Sequence, residues 1–328
     1  MNKDIFGLTA EMTLQKRIEK WSEKARARKE QDREKTKNKS VDDFRLLSNI
    51  WKTQKGNEQL NFCMPSIYRD NSRVMDVALF RLSKSQKRAD EVIKYQISPS
   101  EYIEVKSGPD GIATVWDYDI VLIIISHLTE KMNRFHYGKV EKPSRIIIFN
   151  VSDILKFCRK GDGSRQYLEV EASLVRLQGT TIKRVRIVTF NGESFKREVM
   201  SERLIANFNI KSRTDTGKIA IVEIEAPDSI YLDITDNTKP NVLAFHPDYF
   251  LISSSIERFI YRLARLRAGK TFAIWRFSLI YERSGSKGSF KKFCFRLRGI
   301  IKKNDLPEFI LELVVGVKGE FMLKIQRR

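Results

Sequence analysis

Hydrophobic and polar positions follow two different periods along this chain, and the changes of period divide it into segments. Apolar residues three and four positions apart indicate a helix, whereas alternation indicates a strand. Residues 116–135, WDYDIVLIIISHLTEKMNRF, predict a helix that is buried on much of its surface, with Asp117 or Asp119 near its start. Residues 11–39 alternate in charge with almost no apolar stripe, which predicts a solvated helix or a disordered arm.

The segments on either side of the long helix extend this prediction. Three short strands are expected before it, at 74–82, 90–97 and 101–108. After it we expect, in order, a strand at 145–149, a helix at 151–160 capped by Ser152, a helix at 164–179 capped by Ser164, and strands at 180–190, 194–210 and 218–225. This order of elements is typical of the winged-helix variant of the helix-turn-helix.

The same order recurs in the last third of the chain. Helices are predicted at 247–267, 272–285 and 290–304, the last capped by Ser289, and a hairpin is predicted around Lys318 and Gly319. The segments CRKGDGSRQYLEVEASLVRLQG and YERSGSKGSFKKFCFRLRGI both have an arginine, then glycines, then a serine that opens a helix. The pattern therefore indicates two copies of one module.

The predicted fold class is α+β, with two tandem winged-helix domains and a charged N-terminal arm. The arm is residues 1–55, partly helical or disordered. The first domain is 56–226, in which a β-rich extension precedes the first module at 113–226. The second domain is 227–328, which is also the second module and the expected main DNA-binding domain.

Charge indicates what such modules bind. The chain has 61 Lys and Arg against 41 Asp and Glu, a net charge of +20. Residues 255–328 hold 18 basic and 6 acidic residues, a surplus of 12 and more than half of the total. A surplus of this size favours a polyanionic partner, with nucleic acid as the first candidate and an anionic membrane as the second.

The candidate DNA-contacting residues follow from the predicted helix at 290–304 and its counterpart in the first module. In a helix-turn-helix the second helix enters the major groove, where lysine and arginine reach guanine or phosphate. The candidates are Lys287, Ser289, Lys291, Lys292, Phe295, Arg296, Arg298, Lys302, Lys303, Arg165, Lys183 and Arg184. A solvated basic face without a ligand is the alternative interpretation. The helix at 164–179 is neutral overall, so we expect it to contact the DNA backbone or another protein.

Other kinds of chemistry find little support in the sequence. The three cysteines are far apart, the three histidines are scattered, and no CxxC or HExxH motif occurs. Residues 264–271, ARLRAGKT, fit a relaxed P-loop pattern, but a helix precedes them and Gly269 is expected to end it. We therefore expect no enzymatic activity, no cofactor and no metal. The longest apolar run, Ile120 to Ile125, is too short to span a bilayer, and a cytoplasmic, nucleoid- or plasmid-associated protein is expected.

Four long segments resemble one known family. They are ATVWDYDIVLIIISHLTEKMNR, VSDILKFCRKGDGSRQYLEVEASLVRLQGTTIK, HPDYFLI and YERSGSKGSFKKFCFRLRGIIKKNDLPE, and they stand in the order expected of the plasmid replication initiator RepA family. The resemblance covers roughly residues 60–328.

The resemblance implies two winged-helix domains that bind repeated origin sites called iterons. It also implies opening of the duplex, recruitment of host initiator and helicase-loading proteins, and a dimer through the first domain that represses its own gene. A sequence-specific transcriptional repressor without a replication role, or a general architectural DNA-binding protein, would share much of the same sequence pattern.

Overall fold

The computed structural model describes residues 65–83, 91–190, 194–213, 217–269 and 271–328, without the side chains of 188–190, 194–196 and 212. The predicted arm at 1–55, Cys63 of the three cysteines, and Lys270 of the P-loop-like segment lie outside the described residues.

The described residues contain seven α-helices and twelve strands. The helices are α1 Tyr118–His136, α2 Val151–Phe157, α3 Ser164–Gly179, α4 Asp228–Thr235, α5 Ser255–Arg267, α6 Phe277–Arg283 and α7 Phe290–Lys303. The strands are β1 Tyr68–Asn71, β2 Val92–Ser98, β3 Glu101–Lys106, β4 Ile146–Asn150, β5 Thr181–Phe190, β6 Ser194–Arg203, β7 Asn207–Arg213, β8 Ile219–Glu225, β9 Val242–Phe245, β10 Phe272–Arg276, β11 Phe309–Val315 and β12 Phe321–Arg327. The chain is thus a mixed α and β protein.

Two of the sheets have the same strand order. In the first module α1, β4, α2, α3, β7 and β8 follow one another, and the sheet order is β4-β8-β7. In the second module α5, β10, α6, α7, β11 and β12 follow one another, and the sheet order is β10-β12-β11. All of these strand pairs are antiparallel. The chain therefore repeats one arrangement of three helices and three strands.

The β5–β6 hairpin is what distinguishes the first repeat. It is inserted between α3 and β7 and joins the two strands of the extension in the sheet β2-β3-β5-β6. The fourth sheet pairs β1 of the extension with β9 of the second module, with Tyr68 opposite Phe245. The extension therefore contacts both modules.

The predicted helix at 272–285 is wrong in its first half. Residues 272–276 form β10, which pairs with β12 so that Phe272 lies opposite Gln326. Only α6 is helical. Exposure alternates along Phe-Ala-Ile-Trp-Arg, so this segment follows the period of a strand, as the matching segment of β4 does.

Two predicted strands also differ from the structure. The strand expected at 194–210 is interrupted, because the consecutive residues Leu204 and Ile205 are both buried and the chain changes sheet between β6 and β7. The strand expected at 74–82 is absent from this described segment, which begins with a short 3-10 helix at Ser72–Val74. Most residues from 75 to 80 are buried without alternation, so they pack as an irregular core segment.

The predicted caps were right for one helix of three. Ser289 caps α7, its side chain accepting a hydrogen bond from the backbone N–H of Lys292. Asn150 rather than Ser152 is the N-cap residue of α2, and Gly163 rather than Ser164 that of α3. Gly269, just beyond the end of α5, has a positive φ of 36°, as expected of a glycine that ends a helix.

Two buried ion pairs join α5 to the first half of the chain. Arg262 lies 2.8 Å from Asp70 of β1, and both side chains are fully buried. Arg258 contacts both carboxylate oxygens of Asp119 at 2.7 and 2.9 Å. The hydroxyl of Tyr118 donates to Asp70, and the guanidinium of Arg262 stacks on the Tyr118 ring at 4.7 Å. Asp119 is therefore an interface residue as well as a residue of the first turn of α1.

We predict that Arg258→Ala lowers the free energy of unfolding by about 3–5 kcal/mol, because it leaves the Asp119 carboxylate buried without its partner. Urea unfolding followed by circular dichroism measures this loss. The control is Arg165→Ala, which removes an exposed arginine whose Glu169 neighbour is also exposed and should cost less than about 1 kcal/mol. Equal losses in the two variants would show that the buried pair does not hold the halves together.

Candidate nucleic-acid interface

The candidate interface is built on α7. The helix is closed at its N-terminal end by Ser289 and at its C-terminal end by Asn304, which adopts a left-handed conformation with φ of 48°. The side-chain oxygen of Asn304 accepts from the backbone N–H of Leu311, so the helix end is tied to β11. The buried face of α7 consists of Phe293, Cys294, Leu297 and Ile300.

The helical spacing of the apolar residues also predicts Phe290 and Ile301 for that buried face, but both lie at its border. Phe290 is 43% exposed, and its ring packs edge-on against Tyr281 of α6 with the centroids 5.4 Å apart. Ile301 is half-buried against the core. The inner face of α7 is therefore narrower than predicted, which leaves more of the helix in solvent.

Five of the predicted residues share the outward face of α7. At 100° per residue, the side chains of Lys291, Lys292, Phe295, Arg298 and Lys302 point within a sector of about 120°. All five are exposed, and in the described part of the chain no acidic side chain pairs with the four cations. This face is the strongest unneutralised positive feature of the helix.

The aromatic residue on this face is free of the rest of the protein. Phe295 is 79% exposed, so its ring does not fold back on the hairpin of β11 and β12. Arg298 makes that contact instead, with its guanidinium 4.2 Å from the centroid of the Phe321 ring. Arg298 therefore links the helix to the hairpin, and Phe295 remains available to a ligand.

The other predicted residues near α7 are partly engaged by acids. Arg296 and Lys303 lie on one flank of the helix. The ammonium of Lys303 is 2.9 Å from Asp305 and 3.5 Å from Glu257, and these carboxylates raise the pKa of Lys303. Lys287, in the turn before the helix, is 2.7 Å from the buried Glu91 of the extension. The structure thus separates these cations from the outward face.

The three candidates of the first module lie on α3 and β5, and each has an acidic neighbour. Arg165 is exposed at the start of α3 beside Glu169, at 3.4 Å. Lys183 and Arg184 lie on β5, where Lys183 is 4.0 Å from Glu104 and Arg184 pairs with Glu101. Glu101 and Glu104 of β3 therefore offset much of the positive charge of Lys183 and Arg184 on β5.

Matching α3 and α7 by their buried residues shows how the two helices differ. Val170, Leu174 and Leu177 of α3 have the spacing of Phe293, Leu297 and Ile300 of α7. On this alignment the outward residues Lys291, Phe295 and Arg298 of α7 correspond to Leu168, Ala172 and Val175 of α3. The same face is basic in the second module, whereas in the first it is apolar apart from Glu169, which corresponds to Lys292.

Helix α3 is held in place by Asp117, the residue before α1. Asp117 accepts hydrogen bonds from Arg176 at 2.7 Å and from Ser173 at 2.6 Å. Burial would raise the pKa of Asp117, but the bonds from Arg176 and Ser173 outweigh it and the pKa lies below its usual value. The sequence placed Asp117 at the start of a helix and gave no sign of this pairing.

The described residues offer little support for a metal site, a reactive thiol or a membrane-spanning helix. They hold no group of three or more His, Cys, Asp or Glu that could bind a metal ion. Burial raises the pKa of the Cys158 thiol to about 12, which leaves it protonated at neutral pH. No helix among the residues described combines the length and apolar content needed to cross a bilayer.

The turn between β11 and β12 is a further candidate for DNA contact, in addition to the residues predicted from the sequence. Val317 is fully exposed at the tip, followed by Lys318 and Gly319, and Gly319 has a positive φ of 78°. The contact of Arg298 with Phe321 connects this hairpin to the outward face of α7. In the sequence, this tip can be recognised as a valine and a lysine between two glycines, Gly316 and Gly319. An exposed valine in such a turn is a candidate contact for a ligand.

Comparison with known proteins identifies the chain. The family model for replication initiator protein A matches residues 69–311. A "Putative replication protein" from Wigglesworthia glossinidia brevipalpis is 30% identical over 247 residues, which span 74% of this chain and 84% of that protein. The chain belongs to the replication initiator protein A family, and its role is that of a replication initiator.

Two solved structures share the fold. A crystal structure of domains 2 and 3 of RctB, determined from selenomethionine derivatives, matches with a TM-score of 0.58 at 13% identity, covering 78% of this chain and 98% of that one. A second crystal structure of RctB domains 2–3 matches with a TM-score of 0.51, also at 13% identity, covering 76% and 95%. At this identity the likeness concerns the fold alone.

We predict that Lys291→Ala and Lys292→Ala each reduce the preference for a selected DNA duplex over a random duplex, by roughly tenfold for a lost base contact. Lys302→Ala, further along the same face, should weaken binding to both duplexes equally and lower the salt slope by about one. Fluorescence anisotropy at several salt concentrations measures both quantities, with Lys239→Ala, an exposed lysine outside the candidate set, as the control. An unchanged preference after both N-terminal lysines are replaced would exclude α7 as the recognition helix.

Proposed function

We propose that this protein initiates replication of a plasmid or secondary replicon by binding repeated double-stranded origin DNA through α7. Each of the two topological repeats acts as a winged-helix domain, with the hairpin of β11 and β12 as the wing of the second. The observation that carries the proposal is the outward face of α7, on which four cations and an exposed phenylalanine have no acidic partner among the described residues. A helix with this face suits the major groove.

The bound protein opens the origin and recruits host initiator and helicase-loading proteins. It does so without enzymatic activity or a cofactor of its own, as a DNA-associated protein of the cytoplasm with no membrane partner. The net charge of +20 supports association with DNA, because each phosphate neutralised by a lysine or arginine releases counterions. Expected partners are therefore origin DNA, host replication proteins and a second copy of the chain.

The second copy binds through α3 of the first domain. Its outward face carries Leu168, Ala172 and Val175, of which Leu168 is 66% exposed, and a face of this kind is unsuited to phosphate. Two α3 helices that cross antiparallel with Ala172 at the centre place Leu168 against Val175 of the other copy.

The replication role is tested by transforming a host with a replicon whose only initiator gene is this one, together with its flanking repeats. We predict stable transformants with the intact gene and none with the Lys291→Ala, Lys292→Ala double variant, because the origin is then not recognised. Lys239→Ala, which removes an exposed lysine outside both proposed contact surfaces, is the matched control and should transform. If the intact protein binds the repeats tightly and represses its promoter but yields no transformants, the protein is a transcriptional repressor. Binding without sequence preference would indicate an architectural protein.

Self-association has a separate test. We predict that Ala172→Glu raises the dissociation constant of the dimer at least tenfold, because it places two carboxylates in contact at the symmetry axis. Sedimentation equilibrium of the purified full chain measures the constant. Leu251→Glu, which adds the same charge at another exposed leucine, is the control and should leave the constant unchanged. A dimer that survives Ala172→Glu would exclude α3 as the contact.

A further inference from the structure

The turn between α6 and α7 rests on β2 of the extension. Gly285 in this turn has a positive φ of 61°, and a Cβ atom added to it would lie 2.4 Å from the hydroxyl oxygen of Tyr95 and 3.4 Å from two methyl groups of Ile93. Contacts below 3.0 Å are essentially never seen for a Cβ atom. The glycine is therefore required both by the backbone conformation and by the closeness of the strand.

Tyr95 is itself fixed, so the contact is rigid. Its hydroxyl donates a hydrogen bond of 2.6 Å to the carbonyl oxygen of Ala78, and its side chain is buried. The backbone N–H of Ala78 in turn donates to the carbonyl oxygen of Arg283, the last residue of α6, at 2.9 Å. Tyr95, Ala78 and Arg283 thus connect β2 to the helix that precedes the turn.

Two ion pairs flank this contact. Arg283 lies 2.6 Å from Asp76, just before Ala78 in the chain. Lys287 lies 2.7 Å from Glu91, whose other oxygen is 3.2 Å from Arg81, and the Glu91 side chain is only 4% exposed. A buried carboxylate with two cationic partners holds a defined position, because loss of either partner would leave charge uncompensated in the interior.

The same sheet also holds the end of α3. Gly179, the last residue of α3, packs on Gly108 so closely that a Cβ on Gly108 would lie 3.0 Å from the Gly179 Cα atom. Thr180 accepts a hydrogen bond of 2.8 Å from the backbone N–H of Ala113, and β5 begins at the next residue. One sheet, β2-β3-β5-β6, therefore supports the C-terminal end of α3 and the turn that starts α7.

We infer that this sheet is a positioning platform that sets the direction of the basic face of α7 relative to α3, with Tyr95 and Glu91 as its positioning residues. The inference rests on the proposed DNA-binding function of α7 and adds residues that touch no DNA themselves. Lys287 acts in this platform through Glu91. The consequence is that the DNA specificity of α7 depends on a strand almost 200 residues earlier in the chain.

Gly285→Ala tests the platform, because it adds one methyl group at the contact with Tyr95. Gly138→Ala is the matched control, since Gly138 has a similar φ of 65° and nothing within 4 Å of an added Cβ. Gly285→Ala with Tyr95→Phe is the rescue variant, because it removes the hydroxyl oxygen that the methyl group meets. Tyr95→Phe alone is its baseline, because it loses the hydrogen bond to Ala78 without adding the methyl group. Thermal unfolding of all four variants shows whether a change in the position of α7 is accompanied by a loss of stability.

The first measurement needs no DNA. Spin labels on Ser164→Cys, at the exposed start of α3 and outside the proposed dimer contact, and on Phe295→Cys, in a chain with Cys63→Ser, report the distance between α3 and α7 by electron–electron double resonance. We expect Gly285→Ala to shift the mean distance or to broaden its distribution about twofold, the Gly138→Ala control to match the parent, and the rescue variant to recover most of the change. A distribution unchanged by Gly285→Ala would overturn the inference.

The second measurement uses a duplex selected from a random library by the wild-type protein. We expect Gly285→Ala, without labels, to reduce the affinity for this duplex about tenfold, and the rescue variant to restore most of it. Full affinity in Gly285→Ala would contradict a role of the platform in DNA recognition. If the wild type selects no duplex, the proposed function fails, whereas the distance measurement still decides whether the sheet positions α7.

Discussion

Two arginines of α5 carry a constraint on which the rest of the structure depends. A guanidinium group can remain buried only beside a carboxylate, and for Arg262 and Arg258 these carboxylates come from Asp70 and Asp119 in the first half of the chain. The second repeat is therefore held against the first repeat through Asp119, and against the extension through Asp70, by charge as well as by apolar packing. The surfaces that face outward, on α3 and on α7, keep a defined relation because this junction and the sheet β2-β3-β5-β6 fix both helices.

On this common scaffold the two repeats present different chemistry. The inner faces of α3 and α7 use apolar residues at the same spacing, so the packing against the core is alike. The outer faces differ residue by residue, with Leu168, Ala172 and Val175 in the place of lysine, phenylalanine and arginine. A repeated fold thus serves two partners, DNA for the second module and a second copy of the chain for the first, as we propose.

The sequence predicted those parts of the fold that local pattern determines. The period of apolar residues located α1, α3 and α7, and glycine turns located the β11–β12 hairpin. The sequence-based prediction failed where pairing with a distant strand determines the structure. Residues 272–276 form a strand, β10, because β12 lies beside them. The only local signal for the break between β6 and β7 is a pair of adjacent buried residues, Leu204 and Ile205. The partners of Asp117 and Asp119 could not be predicted either, since 59 and 139 positions separate them from Arg176 and Arg258.

The candidate site was predicted in the same uneven way. Helical spacing predicted which basic residues of α7 are exposed, whereas the acids that pair with Lys287, Lys183 and Arg184 lie on other elements and could not be read from one segment. The most direct test of the central claim is DNA cleavage by an iron chelate attached to Phe295→Cys or, separately, to Ala172→Cys. The account predicts strong cleavage of a selected duplex within the bound site from position 295 and little from position 172. Strong cleavage from position 172 with none from position 295 would contradict it.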